Sequence, residues 1–261
     1  EMSITGLNSL MMFRRRVVPR VALIVVLLIS SARVSNGQNP KPASESTADV
    51  PSLADELPRI PATEPGQALA TFEVQKGFTL QLVASEPSVS DPIDACFDEF
   101  GRMFVAEMHG YPFSQEPTRL NPKGGGKPDA GVVRMLEDTT GDGVFDRSTK
   151  FADQMRWPTS VVCWKGGVLV LASPKIWYFK DTTGDGVADV REVIFDGFNR
   201  DNVQSVANNL KWGLDHRIYG AGGRNPSVIQ RGGEDLLKLG SRDFSFDPMT
   251  FEVTSETGGV Q

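Results

Sequence analysis

Histidine and cysteine are scarce in this chain, with two of each in 261 residues. Cys96 and Cys163 lie far apart, and neither stands in a C-x-x-C or C-x-x-C-H spacing. Haem attachment and a thioredoxin-type redox pair are therefore excluded within these residues at the level of motif. In an oxidising compartment the two can pair; as thiols in neighbouring apolar strands they can equally stay reduced. Positive charge is also short. The 27 Lys and Arg against 33 Asp and Glu give a net charge of −6, the wrong balance for a nucleic-acid-binding surface. No apolar run reaches the roughly 20 residues of a membrane-spanning helix. There is no G-x-G-x-x-G after a strand, no Walker loop, no G-x-S-x-G elbow and no H-E-x-x-H pair. Sustained 3.6-residue periodicity is missing outside the N-terminal region, which argues against a helical fold.

What is present begins with an address. Arg14, Arg15, Arg16 and Arg20 precede the apolar run Val21–Ile29, and small residues follow at Ser30-Ser31-Ala32 and Ser35-Asn36-Gly37. Residues 1–37 read as a secretory signal or an uncleaved N-terminal anchor. The protein is expected to be exported, to a periplasm or cell envelope, and to meet a membrane only through this segment. Residues 38–67 are rich in Pro, Ser, Ala, Glu and Asp and read as a flexible linker, too poor in apolar surface to offset the entropy of ordering. Order is expected from about Ala68.

Two near-identical segments, Asp138–Asp146 (DTTGDGVFD) and Asp181–Asp189 (DTTGDGVAD), begin 43 residues apart, at 138 and 181. Each follows an apolar, strand-like run: Val132–Leu136 and Ile176–Phe179. A period of that length, built on strands and turns, marks a repeat of small sheets. Short turns feed apolar strands at Phe97–Ala106, Val162–Leu171 and Leu210–Tyr219, and Phe244–Pro248 with Phe251–Val253 reads as a further hairpin. Phe72–Ala84 alternates apolar and polar residues around Lys76-Gly77, and is expected to be a strand pair or an extended edge segment. The 26 glycines and 17 prolines fit this turn-rich reading. The fold expected is all-β, with residues 68–261 the N-terminal part of a β-propeller. About three blades are visible where closed propellers have 4–8, so a truncation at the C-terminus is expected.

The segments GFTLQLVASEPSVSDPIDACFDEFGRMFVAEMHGYP, TGDGVFDRSTKFAD, WPTSVVCWKGGVLVLASPKIWYFKDTTGDGVADVREVIFDGF and NNLKWGLDHRIYGAGG resemble the N-terminal domain of the PVC-type haem-binding CxxCH proteins, also called membrane-bound dehydrogenases. The resemblance runs from Ala68 to Gln261. It implies a propeller of the soluble glucose/sorbosone dehydrogenase kind, and an oxidoreductase acting on sugars or polyols. Electrons would pass to a C-terminal cytochrome region or a separate acceptor. Haem c would sit in that further region and not in this chain. In such propellers the catalytic His precedes the strand matching Leu210–Asp215; that register falls on Ser205 here.

Chemistry-bearing residues are few. Oxidising an alcohol needs a base for the hydroxyl proton, most often His. His109, at a strand end, is the candidate base, or else a structural or ligand-contacting residue; His216 falls in a hairpin turn. Loops at one end of a propeller carry binding residues. His109 and Tyr111, Arg156 and Trp157, Asn202 and Gln204, and Arg224 with Asn225 are expected to converge there on a small-molecule or polysaccharide ligand. The aromatics would stack on a sugar ring or pack between blades. The arginines would hold a carboxylate or a quinone cofactor, or form surface ion pairs. The Asp-Gly segments carry oxygens at calcium-loop spacing. Asp181, Thr183, Asp185, the Val187 carbonyl, Asp189 and Glu192 form the fuller set. Asp138, Thr140, Asp142, the Val144 carbonyl and Asp146 form a set without the last carboxylate. The other reading of both is a turn in which Asp and Gly supply local hydrogen bonds. A calcium-stabilised binding or scaffold propeller without catalysis is thus the alternative function.

Overall fold

The computed structural model describes residues 60–113, 123–127 and 129–257. The expected signal or anchor, and the linker up to residue 59, lie outside them. Among the described residues no helix is long and apolar enough to cross a membrane. The described residues are all-β apart from a one-turn α-helix at Pro65–Ala68 and two short 3-10 turns.

Gly and Asp interrupt the apolar runs every few residues, so the strands are short and antiparallel. β1 (Pro92–Phe97), β2 (Met103–Glu107), β3 (Gly131–Glu137) and β4 (Arg147–Met155) form one four-stranded sheet in that order. β5 (Ser160–Trp164), β6 (Gly167–Ala172), β7 (Lys175–Lys180) and β8 (Val190–Phe195) repeat the meander. The third sheet is built from β9 (Asn208–Trp212), β10 (Ile218–Ala221), β13 (Asp243–Phe246) and β14 (Val253–Glu256). Between β10 and β13 an inserted hairpin, β11 (Ser227–Arg231) and β12 (Glu234–Gly240), makes a two-stranded sheet of its own. Its Gln230 exchanges both backbone hydrogen bonds with Asp196, just after β8, at 2.9 Å each. The Asp-Gly segments are the β3–β4 and β7–β8 connections, so the 43-residue period is one sheet. The hairpins expected at Phe97–Ala106, Val162–Leu171 and Leu210–Tyr219 are β1–β2, β5–β6 and β9–β10.

The middle sheet explains the stacking. β6 (GVLVLA) is buried at every position, the signature of a sheet covered on both faces. Val168, Val170 and Ala172 pack with Phe104, Val133 and Phe151 of the first sheet. Leu169 and Leu171 pack with Leu210, Phe244 and Phe246 of the third. Side chains alternate across a strand, so one strand serves both interfaces. Each such side chain contributes about 1.5–3 kcal/mol on burial.

The first strands β1, β5 and β9 run side by side across the three sheets. On β1, the Asp94 carboxylate accepts from Ser160 Oγ at 2.6 Å, the Val161 amide at 3.1 Å and Lys211 Nζ at 2.9 Å. Ser160 Oγ in turn accepts from the Leu210 amide at 2.8 Å. Cys96 and Cys163 meet on β1 and β5 as free thiols, with Sγ atoms 3.3 Å apart.

The strand pair expected at Phe72–Ala84 does not form. The Lys76-Gly77 turn does, with the Phe78 amide donating to the Gln75 carbonyl. The flanking residues find no partner strand, and Phe72, Val74 and Phe78 stay exposed. The segment instead runs extended, the Val83 carbonyl accepting from the Phe145 amide at 2.9 Å. Ala84 and Val89 cover Met103, Val105 and Leu136 on the outer face of the first sheet.

Ser160 is fully buried. Ser160→Ala removes one donor from Asp94 and strands the Leu210 amide, which costs about 1–3 kcal/mol. Denaturant unfolding measures it; a loss under about 0.5 kcal/mol, the range of neutral substitutions, would contradict the account.

Candidate functional site

Antiparallel order puts the starts of β1, β5 and β9 at one end of the sheets, with the residues that follow β2, β4, β6, β8 and β10. Both Asp-Gly loops lie at the other end. A cavity of about 580 Å³ opens at the first end. Met108 and Tyr111 after β2, Thr159 before β5, and Gln204, Asn208 and Asn209 around the start of β9 line it, with Asp94. Thr159 is fixed by its hydroxyl, which donates to the Ala207 carbonyl at 2.7 Å.

The structure brings some of the expected residues together. Tyr111 stands edge-on to Trp157, ring centroids 5.7 Å apart at 82°. Trp157 is buried, with its Nε1 unpartnered; it supports Tyr111 and does not face the cavity lining. Asn202 caps the turn Val203–Ser205 by accepting from the Gln204 amide at 3.1 Å, which sets Gln204 on the cavity wall. Asn225 pins the same turn from below. Its Nδ2 donates to the Asn202 and Ser205 carbonyls at 2.8 and 3.0 Å, and its Oδ1 accepts from the Asn202 amide at 2.9 Å. Gly223 permits this approach: at φ 71° it lies so close that a Cβ would meet the Ser205 carbonyl oxygen at 2.1 Å.

Other residues do not join. Arg156 donates to Asp129 at 2.9 Å and lines a separate cavity. Arg224 is exposed and lines neither cavity. The two arginines expected to hold a carboxylate or a quinone therefore do not meet. His109 is engaged at both ring nitrogens: Nδ1 lies 3.1 Å from Asp91 Oδ2, and Nε2 lies 3.1 Å from Glu107 Oε2. Glu107 is fully buried and also accepts from Arg134 Nε at 2.9 Å and the Ser90 amide at 2.8 Å. A buried carboxylate needs such partners, and His109 is one of them. His216 is exposed in the β9–β10 turn. Ser205 is buried, its Oγ accepting from Asn202 Nδ2 at 3.1 Å.

The Asp-Gly loops close on themselves. Asp138 accepts from the amides of Thr140, Gly141 and Gly143 and from the Thr140 hydroxyl. Asp181 does the same with Thr183, Gly184 and Gly186. Asp146 and Asp189 clamp the far side through Thr139 and Thr182. The Val144 and Val187 amides donate to Asp142 and Asp185. Glu192 lies in β8 opposite Tyr178. Calcium takes six to eight oxygens around one point. Among the described residues no three His, Cys, Asp or Glu side chains are grouped to hold a metal ion. The second loop also docks sideways: the Ala188 amide donates to the Phe151 carbonyl of β4 at 2.8 Å.

A family model described as a domain of unknown function (DUF7133) matches residues 64–261, and the chain belongs to that family. Among curated proteins none matches it.

Amide and hydroxyl donors hold the loop carboxylates below the ordinary 3.8. The Gly143 amide leads for Asp138, the Thr139 amide for Asp146 and the Thr182 hydroxyl for Asp189. At Asp181 desolvation, the largest single effect, works upward and is outweighed by the amides of Gly186, Gly184 and Thr183 together. A carboxylate depressed in the folded state adds stability above its unfolded value and loses it as pH falls through the folded one. Asp138→Ala and Asp181→Ala are thus expected to melt below the parent protein at pH 7, the gap closing as pH drops below 3.8. Melting curves across pH check this; equal melting at pH 7 would mean the loops contribute nothing.

Proposed function

We propose that the three four-stranded sheets are consecutive blades of a β-propeller, and that the cavity at the starts of their first strands binds a sugar or polyol. The carrying observation is the lining of that 580 Å³ cavity. Gln204, Asn208 and Asn209 share the lining with Tyr111, whose ring is backed by Trp157. Amides offer both a donor and an acceptor to each hydroxyl, and an aromatic face suits the C–H side of a sugar ring. The size suits a small ligand. The side-by-side first strands support the radial arrangement.

Proton abstraction has little support at this cavity. Both His109 nitrogens face carboxylates, and the Ser205 hydroxyl is held by Asn202. The reading favoured is recognition without catalysis, in an exported module. The resemblance to cytochrome-linked dehydrogenases supports a second reading. There the same cavity presents a sugar or polyol to an electron acceptor, either a haem c region of a longer protein or a separate partner.

Titration calorimetry against neutral mono- and oligosaccharides and polyols tests the proposal. At least one is expected to bind, with Tyr111→Ala weakening it about tenfold, the cost of one well-placed contact. No dye reduction is expected with the same compounds, with or without a quinone. Absence of binding across the panel would remove the proposal; dye reduction would transfer support to the oxidoreductase.

A further inference from the structure

A second cavity, of about 380 Å³, opens at the same end, between the end of β4 and the β6–β7 turn. Its wall carries Arg156, Lys175, Arg191 and Arg200 against one carboxylate, Asp129. Two of the cations are spoken for in the scaffold. Arg191 donates to the Asp153 and Gln154 carbonyls at 2.9 and 3.1 Å, with its guanidinium 4.8 Å from the Trp177 ring centroid. Lys175 Nζ lies 5.0 Å from the same ring's centroid and 3.8 Å from Asp196. Arg156 is matched by Asp129. Arg200 is not matched: it donates through Nη1 to the Ser173 carbonyl at 3.1 Å, and among the described residues it forms no ion pair.

Beside it is an unspent donor. Ser173 is 4% exposed, lines this cavity, and its Oγ has no hydrogen-bond partner among the described residues. A buried hydroxyl without a partner is costly and uncommon in native structures. A guanidinium offers five N–H donors in a fork that fits an oxyanion. We propose that this cavity binds an oxyanion, the carboxylate, sulfate or phosphate group of a small ligand, held by the Arg200 fork and the Ser173 hydroxyl with Arg156 as the neighbouring charge. Burial and the nearby Arg156 hold the Arg200 guanidinium below its ordinary value; an anion between the two relieves that repulsion. The site is separate from the first cavity and does not depend on a sugar binding there.

The probes are sodium sulfate and sodium acetate, titrated into the full chain at constant ionic strength against chloride. Saturable binding of at least one, at one site per chain, is expected. Sulfate alone would mark a tetrahedral group; both would mark any oxyanion. Arg200→Gln is expected to weaken binding at least tenfold, as loss of a charge-assisted fork does. Ser173→Ala is expected to weaken it several-fold while leaving the anion-free melting temperature unchanged or raised, because it deletes an unsatisfied hydroxyl. Tyr111→Ala is expected to bind sulfate as the parent does. No saturable response to either salt, or parent-like binding by both Arg200→Gln and Ser173→Ala, would overturn the proposal.

Discussion

The Asp94 carboxylate joins three sheets that share no backbone hydrogen bonds along their first strands. One oxygen takes Ser160 and Val161 of the second sheet; the other takes Lys211 of the third. Ser160 extends the chain of donors to Leu210. A side chain only 16% exposed can carry charge because it is hydrogen-bonded on both oxygens. Apolar packing alone is non-directional and would let the sheets slide. This network fixes their register at the first strands, and with it the positions of Thr159, Asn208 and Tyr111 around one opening.

That constraint also divides the molecule by end. Where the first strands start, long connections carry amides, aromatics and arginines, and two cavities open among them. Where the third strands hand over to the fourth, the Asp-Gly loops satisfy their own carboxylates, and the second docks on the neighbouring sheet. The two cavities and the Asp-Gly hairpin closures therefore lie at opposite ends by topology. The acidic repeat that dominates the sequence marks the period of the architecture; Asp138 and Thr139 of its first copy line a further cavity, of about 550 Å³, at their own end.

Much of the fold could be read from the sequence because its signals are local. Gly and Asp turns between alternating apolar runs located the four hairpins, and the spacing of two copies located the repeat. Of the two readings of Phe72–Ala84 the extended segment is the one that forms, because alternation makes a strand only when another strand is there to pair with it. The β11–β12 hairpin was passed over although Gly232-Gly233 between two apolar runs is a local signal of that kind. The site was less legible. Tyr111 and Gln204 line the first cavity from their places after and before a strand, and Asn202 holds the turn that carries Gln204. Arg156 and Arg224 were grouped with them, yet which loop an arginine reaches depends on pairing with Asp129, a contact made across residues far apart in sequence. Glu107, Arg134, Arg200 and Ser173 left no pattern at all. Their meaning comes from burial and from partners, which a single sequence does not display.

The direct test of the central claim is amide hydrogen exchange at Val161 and Leu210, whose donors end on Asp94 and Ser160. The account predicts that both exchange only with global unfolding, in the slowest class, and that Asp94→Ala moves both into a faster class while amides inside β6 and β7 stay slow. Fast exchange at either amide in the parent protein, beside slow exchange in β6, would show that the sheets are not held together at their first strands.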